Sequence, residues 1–498
     1  MRLPALVPAL VVAVSLAPLA PAAAAPQTVV VLVTGDENGH LLPSTEGDVP
    51  RGGAAETLGY WTTKEGHCPG KLDKAGSPAC KDGKTLVLST GDHFSGPSIS
   101  SFFQGEPAAE AMARMGYAAS AMGNHELDFG REQFDKLRDM GGFPYLSSNI
   151  RPPTKKSDKD YDLGLKPFTL FTRGGVKIGV IGLSAGNVAK TVMSGRFYGN
   201  EVTPYEPALQ QAVPAVRKAG ADVVIVIADE CPTVLEPIVA KHPDWKLAFL
   251  AGGHCHTPVE KKAGTTPLVS PGRRWERYLR AELTVDPARP AGQRLVGLDT
   301  KVVDVVGGQG APPADPELAA RLQFWSKKHD EALGEKIGYT RSGIDANSQT
   351  LYTWYTRAIR LRLGVDVVVL NRKAFRGGVQ PGPITPGNVY SVMPFDDSLL
   401  TVKIKGKDLA TALDNPAAVY DGVAKKDGAW TVKGKPLDPA ATYVLATFEY
   451  LYFGGDNFPF ERLDPNPGET GVVAQTPVVE WTRKQGTTQD KPLESVLH

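Results

Sequence analysis

Short apolar runs separated by helix-like segments form the main pattern of the first three hundred residues. Six runs rich in β-branched or other apolar residues predict buried strands, at 27–34, 85–90, 117–122, 176–183, 221–227 and 246–251. Segments such as 107–115 and 207–219 lie between them and have the pattern of helices. Strands that alternate with helices predict a layered α/β domain, here over residues 26–305.

Polar side chains follow the ends of these strands. Because open α/β sheets bind their ligands outside the carboxyl ends of the strands, we expect these side chains to gather along one edge of the sheet. Seven of them carry atoms that can bind metal ions: Asp36, Asn38, Asp92, Asn124, Asp229, His254 and His256. The pattern therefore predicts a metal site at that edge.

A second pattern begins near residue 306. A proline-rich break at 312–316 precedes a long amphipathic helix at 317–333, so we interpret residues 306–337 as a linker that contains a helix. A helix at 349–363 and strands at 365–370, 399–404 and 443–447 predict a second, smaller α/β domain over residues 338–486. Residues 487–498 are polar, which predicts a loosely held tail.

Composition and the amino terminus restrict the compartment and the partners. The 498 residues carry a formal net charge of only +1, and no basic run is dense enough to follow a polymeric nucleic acid. Residues 1–25 combine a positive start, a proline-broken apolar stretch and small residues before Pro26, which is typical of a cleavable secretory signal. No second long apolar run follows, so we expect a secreted or periplasmic protein with no membrane span and leave its oligomeric state open.

The four cysteines suit an oxidising compartment. Cys68 and Cys80 bracket a polar loop and are predicted to form a disulfide that closes it. Cys231 and Cys255 both lie beside candidate metal ligands. Either they pair with each other, which we favour, or Cys255 is a thiolate ligand.

Residues 123–130, Gly-Asn-His-Glu-Leu-Asp-Phe-Gly, are the most informative stretch of the chain. They follow an apolar run and lead into a helix start at Arg131, which places Asn124 and His125 on the turn that leaves a strand. A histidine that is not a metal ligand can donate a proton to a leaving group, and Asp128 is spaced to hold its ring protonated and oriented. A lone histidine in such a position more often has a structural role, but the residues around His125 favour a catalytic one.

Three motifs occur together and in one order: Gly91-Asp92 with Gly96, Gly123-Asn124-His125-Glu126, and Gly253-His254-Cys255-His256. With them the chain resembles the calcineurin-like metallophosphoesterases, and more closely the two-domain, exported 5'-nucleotidase and UDP-sugar hydrolase family. The resemblance implies an α/β-β-α catalytic domain and two divalent metal ions that activate a hydroxide.

The resemblance also implies a role for each motif residue. Asp92 would bridge the two ions, with Asp36 and His256 on one of them and Asn124 and His254 on the other. His125, held by Asp128, would be the catalytic histidine that stabilises the transition state.

The chain departs from the family pattern at two ligand positions. The family's Asp-x-His is Asp36-Glu37-Asn38 here, and a strand that normally ends in a ligating histidine ends in Asp229-Glu230. Exchanging imidazole for oxygen donors favours Mn²⁺, Mg²⁺ or Ca²⁺ over Zn²⁺. Glu37, His40 or Glu230 could serve in place of Asn38 and Asp229, and loss of metal binding is a further alternative.

The second domain resembles the family's substrate-binding domain. The family motif Asn-Gly-Gly-Gly-Ile-Arg becomes Asn371-Arg-Lys-Ala-Phe-Arg376, which retains its Asn and Arg as expected substrate contacts. Tyr450 occupies the position of a base-stacking aromatic residue, and Asp456 follows two glycines that match the family. For the second stacking residue Tyr420 is a candidate, with simple packing as the alternative. Pro394-Phe-Asp-Asp397 replaces the family's Pro-Phe-Gly-Asn.

The expectation is therefore an exported, metal-dependent phosphoesterase acting on nucleotides or related small phosphorylated compounds. Within the same fold, a cyclic-nucleotide phosphodiesterase and a thiosulfohydrolase are alternatives. A non-catalytic protein that binds metal or nucleotide is the alternative from another class.

Overall fold

The computed structural model describes residues 25–44, 49–70, 83–154, 160–192, 196–395 and 397–497. Of the signal predicted at 1–25, only the last residue lies within these ranges, and Cys80 lies outside them. Among the described residues, no helix is both long and apolar enough to cross a bilayer.

Two six-stranded sheets form the centre of the first domain. The first sheet has the strand order Leu295–Asp304, Arg277–Val285, Gln27–Thr34, Thr85–Ser89, Ala119–Ala121, Tyr145–Leu146. The second has the order Val259–Ala263, Thr266–Ser270, Phe249–Gly252, Val223–Ala228, Val176–Leu183, Phe168–Arg173. Within each sheet, the strands that precede the predicted site residues are adjacent and parallel to one another. Their carboxyl ends therefore point the same way within each sheet.

The two sheets pack face to face, because their inner side chains are almost all aliphatic. Val31, Leu88, Ile178, Ile225 and Phe249 are completely buried between them. Helices cover both outer faces: Ala54–Lys64, Glu106–Met115 and Arg131–Gly141 on the first sheet, and Tyr205–Lys218 and Pro232–Lys241 on the second. The predicted α/β-β-α layering is confirmed. The expectation of a single sheet edge is wrong, since the site is assembled from the edges of two sheets.

The helix predicted for the linker extends over Pro316–Leu333 and packs on the first domain. Its apolar face buries Leu318, Leu322 and Trp325 against the helices that cover the first sheet. Asp315 caps its amino terminus by accepting a hydrogen bond from the Leu318 N–H, and the Arg114 guanidinium forms two hydrogen bonds to the same carboxylate. The linker helix is therefore anchored to the first domain along most of its length.

The second domain is built on a five-stranded sheet with the order Ala418–Asp421, Val367–Asn371, Thr442–Phe448, Ser398–Lys405, Gly468–Val473. Helices Gln349–Leu363, Pro386–Val392, Gly406–Leu413 and Gln475–Gln485 accompany this sheet, and Trp354 and Tyr355 are fully buried in the core. The smaller elements are a pair of strands, Gly338–Thr340 with Gly382–Ile384, and a three-stranded sheet of Val423–Lys426, Ala429–Val432 and Lys435–Pro436. The second, smaller α/β domain agrees with the prediction.

The prediction of a loose tail at 487–498 is wrong for the residues that the structure describes. Leu493 and Leu497 are buried in the core of the second domain. The Glu494 carboxylate accepts hydrogen bonds from the Thr340 hydroxyl at 2.7 Å and from the Ser342 N–H at 3.0 Å. These contacts dock a segment whose other residues are mostly polar.

The buried pair between Arg114 and Asp315 predicts a stability effect. Arg114→Ala leaves the buried Asp315 carboxylate without its cation, so the free energy of unfolding should fall by about 3–5 kcal/mol, as for other broken buried pairs. Denaturant titration of the full chain measures it. The matched control is Arg289→Ala, which breaks an exposed pair with Asp286 and should cost at most about 1 kcal/mol. Equal losses in both variants would contradict the buried role.

Candidate metal centre and active site

The predicted ligands converge where strand ends of the two sheets meet. Asp36 and Asn38 follow Gln27–Thr34, Asp92 follows Thr85–Ser89, and Asn124 follows Ala119–Ala121, all from the first sheet. The second sheet contributes the remaining three ligands, Asp229 after Val223–Ala228 and both His254 and His256 after Phe249–Gly252. The site therefore lies across the open end of the sandwich.

Two groups of potential ligands share one carboxylate. Ligand atoms of Asp36, Asp92 and His256 lie within 4.8 Å of one another, and so do those of Asp92, Asp229 and His254. His256 Nε2 is 3.6 Å from Asp36 Oδ1, while His254 Nδ1 is 3.7 Å from Asp229 Oδ2. Asp92 belongs to both groups, as a carboxylate that bridges two cations must.

Buried oxygens without hydrogen-bond partners test whether these residues fit a cation. Five such atoms belong to four of the predicted ligands: Asp36 Oδ2, Asn38 Oδ1, Asn124 Oδ1 and both carboxylate oxygens of Asp229. Leaving a buried polar atom unpaired costs about 1–3 kcal/mol, so such a concentration at one place calls for a ligand. Oxygen atoms together with imidazole nitrogens suit divalent metal ions.

The pKa values of two of the predicted ligands also indicate a cation site. Burial, together with the neighbouring charge of Asp92, raises the pKa of Asp36 and of Asp229 well above the usual value for an aspartate. Divalent cations would reverse this effect, because they stabilise the ionised carboxylates. The donor set therefore fits two divalent cations in both atom type and charge.

The backbone is specialised at the same positions. Asp36, Asn38, Asp92, His254 and His256 all have left-handed φ angles, between 44° and 65°. Asp and Asn tolerate this region better than most residues, but such conformations still store strain and cluster at functional sites. Gly123 is needed for packing, since a Cβ there would lie 2.3 Å from Asp92 Oδ1. The turns are thus shaped to point short polar side chains at one centre.

A buried acceptor that we did not predict connects two of these turns. Glu126 accepts hydrogen bonds from the N–H groups of Gly123 at 2.8 Å, His93 at 2.9 Å and Asp92 at 3.3 Å. His93 in turn contacts Glu37 through Nδ1 at 2.7 Å. Glu126 belongs to the Gly-Asn-His-Glu motif, so the residue was visible in the sequence, but its three backbone contacts were not.

The alternative carboxylate ligands are occupied elsewhere. Glu37 is hydrogen-bonded to His93, Thr34 and Ser89 behind the centre. Glu230 accepts hydrogen bonds from the Tyr205 hydroxyl and from the Cys231 N–H. Asn38 and Asp229, with their unpaired oxygens, are therefore the better candidates.

His125 and Asp128 form the predicted pair. His125 Nδ1 lies 2.7 Å from Asp128 Oδ2, and the His125 N–H donates to Asp92 Oδ1 at 3.0 Å. Burial lowers the pKa of His125, but the charges of Asp128 and Asp92 outweigh burial and raise it to about 9. The ring stacks on Phe395 of the second domain, with centroids 5.8 Å apart. Asp128 therefore holds the His125 ring beside the shared carboxylate through Nδ1.

A cavity of about 350 Å³ opens from this pair towards the second domain. Of the four predicted substrate contacts, Asn371, Arg376 and Tyr450 line it. Asp456 does not, but its Oδ2 accepts a hydrogen bond from Asn371 Nδ2 at 2.7 Å and so orients that amide. Tyr420 packs edge-on against Trp430 at 5.2 Å and is absent from the lining, in agreement with simple packing.

Two further lining residues were not assigned a role from the sequence. Phe395 lines the cavity with Tyr450 and Phe448, whereas Tyr420 does not. Asp397 is buried with Oδ1 unpaired, and burial together with the charge of Asp128 raises its pKa to about 7. Both come from the segment that replaces the family's Pro-Phe-Gly-Asn.

The choice left open for Cys255 is resolved. Cys231 and Cys255 form a disulfide, so Cys255 is not a thiolate ligand. The bond joins the turn after Asp229 to the turn that contains His254 and His256. It therefore restrains ligands that come from two neighbouring strands. Cys80, the predicted partner of Cys68, lies outside the described residues.

Comparison with known proteins tests the resemblance. Residues 332–429 match the family model of the 5'-nucleotidase C-terminal domain. Protein UshA of Escherichia coli K12 is 28% identical over 509 residues, covering 89% of each chain. The 5'-nucleotidase of Vibrio cholerae is 26% identical over 455 residues, covering 78% of this chain and 81% of its own. Over most of its length, this chain is therefore similar to the two-domain 5'-nucleotidases.

Two solved structures share the fold of this chain. A 5'-nucleotidase precursor from Thermus thermophilus superposes with a TM-score of 0.74 at 20% identity, covering 93% of this chain and 97% of its own. The sulfate thiohydrolase SoxB from the same species superposes with a TM-score of 0.68 at 17% identity, covering 92% and 94%. The predicted enzyme class, hydrolases of phosphoric ester bonds, is confirmed by the relatives.

The Glu126 contacts predict an effect on metal affinity. Glu126→Gln puts an amide N–H against backbone N–H groups, so the turns that present Asp92 and Asn124 should lose alignment. We expect the affinity for Mn²⁺, measured by competition with a chelator, to fall by about 10- to 100-fold, as for other residues that orient metal ligands. Glu132→Gln, at an exposed position of the adjoining helix, is the control and should change nothing. Unchanged affinity in both would contradict the role of Glu126.

Proposed function

We propose that the protein is an exported, metal-dependent phosphoesterase that releases phosphate from nucleotides or related small phosphorylated compounds. The observation that carries the proposal is the shared position of Asp92 in two groups of ligands, beside the pair of His125 and Asp128. Export rests on the signal predicted at residues 1–25.

Asp36, Asn38 and His256 would hold one divalent cation, and Asn124, Asp229 and His254 the other, with Asp92 between them. When bound, two such cations lower the pKa of a water nucleophile and offset the negative charge of the phosphoryl oxygens. Asn38 and Asp229 supply oxygen where the family pattern has imidazole, which favours Mn²⁺ or Mg²⁺ over Zn²⁺.

The protein's own groups complete the chemistry. Asp128 fixes the His125 ring through Nδ1, which leaves Nε2 to donate a proton or hydrogen bond to the oxygen on which charge develops. Arg376 lines the same cavity and adds a positive charge for the phosphoryl group. Tyr450 and Phe395 offer aromatic faces to a base, and Asn371, held by Asp456, offers an amide to the substrate.

The pair of His125 and Asp128 also argues against a non-catalytic binding protein. A metal or nucleotide binder needs neither an imidazole with a raised pKa nor a carboxylate that orients it. The cyclic-nucleotide phosphodiesterase and thiosulfohydrolase alternatives occur within the same fold, so substrate assays are needed to distinguish them.

Turnover tests the catalytic histidine. The full chain loaded with Mn²⁺ should release phosphate from AMP faster than the Zn²⁺-loaded chain, and His125→Ala should lower kcat by about 100-fold or more. His242→Ala, whose ring stacks on Trp245 away from the cavity, is the matched control and should retain activity. Assays with a cyclic nucleotide and with thiosulfate esters run in parallel. A fully active His125→Ala enzyme would exclude the proposed mechanism.

A pair of substrates tests base recognition. Tyr450→Ala should raise KM for AMP, because stacking on an aromatic side chain contributes about 1–3 kcal/mol per base, which corresponds to roughly 5- to 150-fold. It should leave KM for methyl phosphate, which has no base, within about twofold. An equal change for both substrates would indicate that Tyr450 acts on the phosphate site and not on a base.

A further inference from the structure

A second cavity adjoins the first, with which it shares three lining residues. It has a volume of about 450 Å³, lies between the two domains, and shares only His256, Lys373 and Arg376 with the first cavity. Five cationic side chains line it: Arg273 and Arg274 from the first domain, and Arg372, Lys373 and Arg376 from the second. No acidic side chain lines it among the residues that the structure describes. Since the whole chain carries a net charge of only +1, this excess is local.

Three of these five cations, Arg273, Arg372 and Arg376, form no ion pair with the described residues. Arg273 makes no side-chain hydrogen bond or ion pair with the described residues, and Arg376 lies over the Phe395 ring at 5.5 Å. Arg273, Arg274 and Arg376 line the cavity together with His40, so three guanidinium groups face one space. Repulsion between like charges across such a space is relieved by an anion.

Ser95 supplies an independent observation. Its side chain is 2% exposed, lines this cavity and has no hydrogen-bond partner for Oγ. A buried hydroxyl without a partner is costly, and a hydroxyl is an effective donor to an oxoanion. The adjoining wall is closely packed, because a Cβ on Gly96 would lie 1.7 Å from the Asn38 carbonyl oxygen.

We propose that this cavity is a second oxoanion site, which holds a phosphoryl group next to the phosphoryl group at the metal centre. The proposal rests on the proposed phosphoesterase function for the identity of the anion. Guanidinium groups match phosphate oxygens in pairs, and the hydroxyl of Ser95 adds a donor from another direction. Because both domains contribute cations, the bound anion also joins the two domains.

The phosphoryl group has two possible sources with the same chemistry. It is either a second phosphoryl group of the substrate, linked to the one at the metal centre, or free phosphate after hydrolysis. Arg273, Arg274, Arg372 and Ser95 line only this cavity, so substitutions there separate it from the first cavity.

Calorimetric titration with inorganic phosphate tests the site itself. The full chain is first dialysed against EDTA, so that no metal ion attracts the phosphate. Arg273→Ala should weaken binding by about 10- to 100-fold, the scale of a charged hydrogen bond. Arg372→Ala changes an exposed residue of the other domain and should weaken binding in the same direction, which guards against misfolding of the first variant. Arg289→Ala is the control. Binding equal to wild type in both cavity variants, or no binding by wild type, would overturn the proposal.

Turnover by the Mn²⁺-loaded chain then identifies the source. If the occupant is a second phosphoryl group, Arg273→Ala lowers the ratio of kcat/KM for ADP to that for AMP by about 10-fold or more. If the occupant is free phosphate, this ratio is unchanged and product inhibition by phosphate weakens instead. No change in either quantity would also overturn the proposal. Absence of AMP hydrolysis by wild type would refute the proposed function, whereas the calorimetric result does not depend on turnover.

Discussion

The concentration of buried carboxylates at the open end of the sandwich is the constraint on which the rest of the structure depends. Asp36 and Asp229 each approach Asp92 within a few ångströms, and all three are almost completely buried. At about 4 Å, two like charges repel by roughly 4 kcal/mol even at an effective dielectric constant of about 20. The fold maintains this arrangement through left-handed turns, through Glu126 and its backbone contacts, and through the disulfide of Cys231 and Cys255. The unpaired oxygens then define where cations belong.

The catalytic machinery and the recognition surface come from different domains. His125 of the first domain stacks on Phe395 of the second, and the cavity beside them has walls from both. Close by, the Ser98 hydroxyl is hydrogen-bonded to Ser391 of the second domain and to His329 of the linker helix. That helix packs on the first domain and also contacts helix Pro386–Val392 of the second, so a rotation of the second domain would alter these contacts. The cationic second cavity would respond directly to such a rotation, because its charges are divided between the domains.

Strand-end positions were the part of the site that the sequence could predict. Asp36, Asp92, Asn124 and the two histidines follow recognisable apolar runs, and parallel strands bring such ends together. The pairing of His125 with Asp128 also followed from local spacing. The assembly of the site from two sheets could not be predicted in this way, because hydrophobic periodicity predicts strands but not the sheet to which each strand belongs. Other features depend on contacts that no local pattern encodes. Glu126 accepts hydrogen bonds from backbone N–H groups, which every residue type except proline carries, so its partners cannot be read from the sequence. The docked tail and the arginine-rich cavity each combine segments that are distant in the chain.

Anomalous X-ray diffraction from a crystal soaked in Mn²⁺ tests the central claim most directly. The account predicts two manganese peaks about 3.5–4 Å apart, both in contact with the Asp92 carboxylate, with Asn38 near one peak and Asp229 near the other. The control is that protein recovered by dissolving these crystals hydrolyses AMP. If it does, a single manganese peak, or two peaks that do not contact Asp92, would contradict the account.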